Sequence, residues 1–135
     1  MSRPVSRSDL GFVPIAVQPR GGYKIDSPDA ILIDDDMLVH LCWKMSAEKT
    51  DMNFLGFSTV EAFFNKAHAL DRGIPIYIDS QLGKNDQGEA VRGEDVSQQI
   101  AALGFTRIYL ATGLDSVDIS QMPWLAGVRG KEPPF

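Results

Sequence analysis

The chain has 135 residues, 44% of them hydrophobic, which is enough for one sizeable core and too few for two ordinary domains. Thirteen basic against eighteen acidic side chains give a net charge of −5, which a nucleic-acid groove or an anionic membrane surface would repel. The single cysteine, Cys42, excludes an internal disulfide. The opening "MSRPVSRSDL" lacks the apolar run of a signal peptide, and no stretch reaches the ~20 apolar residues of a membrane span, so a cytoplasmic protein without membrane or nucleic-acid partners is expected.

Residues 1–28 carry prolines at 4, 14, 19 and 28 and the pair Gly21-Gly22, with no period longer than "GFVPIAV", and read as an extension or linker. Residues 29–135 form the domain. The apolar strand "AILI" leads into a helix in which Leu38, Leu41, Cys42 and Met45 fall at i, i+3, i+4 and i+7, the spacing of one buried face. A second strand, "NFLGF", precedes "STVEAFFNKAHAL", where Ser58 and Glu61 have capping-box spacing and Val60, Phe63, Phe64 and Ala67 make the apolar stripe.

After "DRG" the run "IPIYI" is short and β-branched, a third strand ending at Asp79. The polar "SQLGKNDQGEAVRG" connects it to a helix over "EDVSQQIAAL", with Val96, Ile100 and Leu103 on one stripe and Gly104 as its stop. "RIYLA" is a fourth strand ending at Thr112, "DSVDISQM" a short helix before Pro123, and "WLAGVRG" a fifth strand ending at Lys131. His40 and His68 lie in helical stretches without metal-ligand spacing and are expected at the surface. Cys42 falls on the buried stripe, and Trp43 and Trp124 are packing residues.

Strands alternating with helices of this length specify a parallel sheet covered on both faces, with ligands beyond the carboxyl ends of its strands. Those ends carry Asp34, Asp35 and Asp36, then Asp79, Thr112 and Lys131. Two carboxylates about 4 Å apart repel by about 4 kcal/mol at an effective dielectric of 20, whereas an exposed ion pair returns at most ~1. Such a cluster is no device for stability; either Lys131 and a cation neutralise it, or one of its carboxyls carries a raised pKa. Oxygen ligands in a water-filled site suit Mg2+, and carboxylate, magnesium, hydroxyl and lysine together suit phosphoryl transfer. Each residue also has an ordinary role: Asp36 as a helix N-cap, Asp79 as a turn former, Thr112 as a strand-end hydroxyl, Lys131 as a solvated charge.

The stretches "ILIDDD", "IYIDS", "IYLATG" and "GVRGKEPPF" resemble the receiver domains of two-component response regulators, over about Asp29 to Phe135. The resemblance implies a flavodoxin-like, doubly wound, five-stranded parallel sheet of order 2-1-3-4-5. It implies that Asp34 and Asp35 hold Mg2+, with Asp35 the more direct ligand, and that the main-chain carbonyl of Gln81 completes the shell. Asp79 becomes the phosphoacceptor, also touching the metal, and Thr112 and Lys131 bind the phosphoryl oxygens. The implied partner is a sensor histidine kinase or a histidine phosphotransfer protein. The chain departs from the family in the long segment after Asp79, in Val128 where an aromatic is usual, in Glu132 between the lysine and Pro133, and in lacking the last helix.

Without that helix the sheet face beside the first helix is expected to stay open on the side of "IYLA" and "WLAGV". It would take Leu10–Val17 as an extended cover, a second copy in a homodimer, or an output partner. Two other readings stand beside the receiver. "DDDML" also fits the acid-x-acid pattern of haloacid-dehalogenase-type phosphatases, with Asp34 as nucleophile and Asp36 as acid, which leaves Asp79 unexplained. The other is a receiver-like interaction module that takes no phosphate.

Overall fold

A computed structural model describes residues 28–113 and 119–135. The expected linker up to Ser27, including Leu10–Val17, lies outside the described residues, as does the 115–118 part of the expected short helix. In chain order the elements are β1 (Ala30–Ile33), α1 (Met37–Thr50), β2 (Phe54–Phe57), α2 (Val60–Ala67), β3 (Ile76–Asp79), β4 (Gln81–Lys84), β5 (Ala90–Arg92), α3 (Gly93–Ala102), β6 (Ile108–Ala111) and β7 (Gly127–Arg129).

Five strands form one parallel sheet in the order β2-β1-β3-β6-β7, and β4 and β5 form a separate antiparallel hairpin. The polar segment after Asp79 was not expected to contain strands. It pairs Gln81 with Arg92 and Lys84 with Ala90, and Asn85 closes the turn by accepting from the amides of Gln87 and Glu89. Residues 119–122, the described part of the expected short helix, make a turn in which the Met122 amide donates to the Ile119 carbonyl.

Because side chains alternate along each strand, the sheet sorts its apolar residues between two faces. Ile31, Ile33, Leu55, Phe57, Ile76, Ile78, Ile108 and Leu110 point to one face, where Phe63 and Ala67 of α2 and Val96 and Ile100 of α3 cover them. The helix α2 starts at Thr59, whose side chain accepts from the Ala62 amide, so the cap stands one residue later than the Ser58 box; Leu103, expected on the α3 stripe, ends that helix and is 44% exposed. Gly104 adopts φ 104°, the positive value that lets a glycine stop a helix.

The other face carries Ala30, Leu32, Phe54, Tyr77 and Ala111, packed against Trp43 and Ala47 of α1. Here α1 is turned opposite to the expected stripe: His40, Trp43 and Ala47 are buried, while Leu38, Leu41 and Met45 are at least half exposed and Cys42 is exposed. Apolar residues occur at helical spacing on both sides of α1. The small Ala30 and Ala111 on the sheet leave room for an indole, so Trp43 decides the rotation, meeting Phe54, Tyr77 and Phe135 at ring-centroid distances of 5.6, 5.2 and 5.6 Å.

The expected open face is also smaller than its strands suggested. Register pairs Tyr109 with Gly127 and Ala111 with Arg129, so β6 and β7 present tyrosine, alanine, glycine and arginine there, while Ile108, Leu110 and Val128 belong to the covered side. Tyr109 stacks on Tyr77 at 5.1 Å, and residues 131–135 fold back over α1, with Trp43 Nε1 donating to the Lys131 carbonyl and Ser46 Oγ to that of Phe135. No described helix is long and apolar enough to cross a membrane.

Candidate functional site

β1 is buried along its length and delivers Asp34 to its carboxyl end with no exposed surface. Both oxygens are engaged: Oδ1 accepts from the Asp36 amide at 2.8 Å and Oδ2 from Lys131 Nζ at 3.2 Å. Asp35 points outward. Asp36 caps α1, its carboxylate accepting from the Leu38 amide at 2.9 Å, so the third acid has a structural role.

Asp79 ends β3 beside them, 5% exposed, and Lys131 Nζ stands 3.0 Å from its Oδ1. One ammonium thus bridges the carboxylates of two strand ends. Oxygens of Asp34, Asp35 and Asp79 lie within 4.8 Å of one another, close enough to share a cation. Thr112, 4% exposed, ends β6, and its Oγ1 accepts from Ser80 Oγ at 3.1 Å. Five of the six strand-end residues singled out in the sequence, Asp34, Asp35, Asp79, Thr112 and Lys131, therefore border one site, the sixth being the helix cap Asp36, and Gln81 opens β4 at its rim. The hairpin forms one wall of a cavity of about 820 Å³ lined by Asp35, Asp79, Gln81, Arg92, Thr112 and Lys131 among others.

Burial raises the Asp34 carboxyl above its ordinary 3.8; the Asp36 amide opposes this, the charge of Asp79 adds to it, and Lys131 lowers it again. For Lys131 burial acts to lower the pKa, but hydrogen bonding to Asp79 and the charge of Asp34 outweigh it, and the ammonium is held above its ordinary value. The oxygen-only donor set with one exposed member fits a hard divalent cation that keeps part of its water shell, so the residues present are suited to Mg2+.

Three residues were not anticipated from the sequence. His40, expected at the surface, is 2% exposed; its Nε2 donates to the Asp34 carbonyl at 2.6 Å, and its buried Nδ1 has no partner among the described residues. The i+6 spacing from Asp34 into the second turn of α1 was the available signal, but without the helix rotation it pointed nowhere. His68 is exposed, as expected. Gly93 begins α3 against the backbone of Asp79 and Ser80, its amide donating to the Ser80 carbonyl; a Cβ there would overlap the Asp79 carbonyl. Gly83, at φ 77°, lies so close to Asp35 that a Cβ would stand 3.3 Å from its Oδ2. The hairpin is therefore fitted to both acids.

A scan of the chain against models of known protein families finds no match, and none of the curated proteins matches it.

Proposed function

We propose that the chain is a receiver-type phosphoacceptor, taking a phosphoryl group onto Asp79 from the phosphohistidine of a sensor kinase or phosphotransfer protein. The observation that carries this reading is the convergence of Asp34, Asp35 and Asp79 around Lys131, with Thr112 beside them at the carboxyl edge of a parallel sheet. A flavodoxin-like doubly wound arrangement is the finer fold that agrees with it. Asp34, Asp35 and Asp79, with the Gln81 carbonyl, would hold Mg2+, which when bound supplies charge neutralisation for the incoming phosphoryl oxygens.

An oxygen of Asp79 attacks phosphorus, forming the new P–O bond as the P–N bond of the donor breaks. The departing imidazole leaves with the electron pair of that bond and takes up a proton. Lys131, already 3.0 Å from Asp79, and the Thr112 hydroxyl donate to the transferred oxygens as charge builds on them. Buried Asp34 acts by holding Lys131 at the mouth of the site. Asp36 serves as the helix cap, which accounts for the third acid without a part in phosphoryl transfer.

Incubation with Mg2+ and acetyl phosphate, followed by intact mass, should add one phosphoryl group that hydroxylamine removes. Asp79→Asn should abolish the addition while leaving the far-UV spectrum unchanged. Labelling of Asp34 in its place would favour the phosphatase, and an unmodified chain that also fails to bind beryllofluoride would make this an interaction module.

A further inference from the structure

The outer side of α1 is an apolar stripe. Met37, Leu41 and Met45 repeat at i, i+4 and i+8 with Leu38 and Cys42 beside them; Met37 is 50%, Leu38 70%, Leu41 52% and Met45 52% exposed. These residues point away from the sheet, since the opposite side of α1 carries His40, Trp43 and Ala47. Scattered exposed leucines require no explanation, but four large apolar side chains in adjacent turns of one helix form a contiguous patch.

We propose that this stripe is the docking site of the chain's own segment Leu10–Val17, "LGFVPIAV", the apolar stretch that precedes the domain. The proposal is independent of the phosphoacceptor reading. Reach favours it. The domain begins at Asp29, which is tied to the chain just past α1: its amide donates to the Asn53 carbonyl, and the Asn53 amide to Asp29 Oδ2. The described chain therefore starts near the C-terminal end of α1. Twelve steps from Val17 to Asp29 span up to about 40 Å, and a helix of 14 residues is about 21 Å long.

Charge agrees with it. Residues 1–27 hold four basic and two acidic side chains, leaving nine basic and sixteen acidic in the remainder. A segment running up the stripe from Met45 to Leu38 would carry Arg7 and Arg3 on towards the start of α1, where the exposed Asp35 and Asp36 stand. Area disfavours a second copy as the occupant. The stripe offers a few hundred Å², well under the ~800 Å² per partner of a stable complex, whereas a tethered segment needs no such area because its effective concentration is high.

Cys42, the only cysteine, sits on the stripe and reports its coverage. In the full chain its modification by a thiol reagent should be slow and independent of protein concentration. The full-length double variant Phe12→Asp/Ile15→Asp should react about tenfold faster, the factor expected when a docked form holding nine-tenths of the population is lost. Trp43 fluorescence should be unchanged, since the inner side of α1 is untouched. Equal rates in the two proteins would overturn the proposal, and so would protection that grows with protein concentration, which would assign the stripe to a second copy.

Discussion

The two faces of the sheet solve the same problem with different materials. On the side of α2 and α3, branched aliphatics from five strands meet Phe57, Phe63 and Phe105, and two helices close the layer. On the side of α1, alanines and aromatic rings meet one tryptophan, and Phe135 packs edge-to-face against it. The first face is redundant: two helices, α2 and α3, share the covering of its strands. The second is serial, because Trp43 holds Phe54, Tyr77 and Phe135 together and its Nε1 ties the Lys131 backbone. A face built this way couples its packing to the site, since the segment that carries Lys131 is the same segment that closes the core.

The comparison predicts its largest effect on the redundant face. Phe63→Ala removes a fully buried ring that meets Phe57 at 5.6 Å, Phe64 at 5.4 Å and Phe105 at 5.8 Å. Urea unfolding should show a loss of about 3–5 kcal/mol. A loss below that of any change on the other face would reverse the ranking.

Phe135→Ala, on the serial face, should cost less, about 1–2 kcal/mol, because the residue is only partly buried. Its distinguishing effect is elsewhere. Trp43 emission should shift to the red as water reaches the indole, and Mg2+ affinity should change because Lys131 loses its backbone anchor. An unchanged affinity would separate the packing of this face from the site.

The smallest effect belongs to Asp34, at the seam of both faces. Asp34→Asn should stabilise the protein by about 1 kcal/mol at neutral pH, as replacements that relieve a costly functional site commonly do. A carboxyl whose folded pKa is raised contributes fully below its unfolded value, near 3.8, and loses that contribution as pH rises through the folded value. The gain from asparagine should therefore vanish in acid and appear as pH climbs above 3.8. A pH-independent difference in melting temperature would remove the buried charge as its cause.

Period and punctuation made the sheet legible. Short β-branched runs alternating with helical spacing, and glycine at the end of α3, have local causes that act in any context, so the five strands and three main helices could be read from the chain. The strand-end acids, threonine and lysine were legible for a related reason: a parallel sheet brings its carboxyl ends together whatever the side chains between them. The hairpin was not. Gln81–Lys84 and Ala90–Arg92 have little apolar alternation, and their pairing follows from the turn that Asn85 organises and from the contact of Gly83 and Gly93 with the acid site. The rotation of α1 was not legible either, because apolar residues line both of its sides. Which side faces inward depends on the room left by Ala30 and Ala111, residues distant in sequence, and that choice buries His40 against Asp34 and turns Leu38, Leu41 and Met45 outward. Local sequence thus determined which elements form and what stands at their ends, while the shape of the opposing surface, which no local pattern encodes, decided how they face one another.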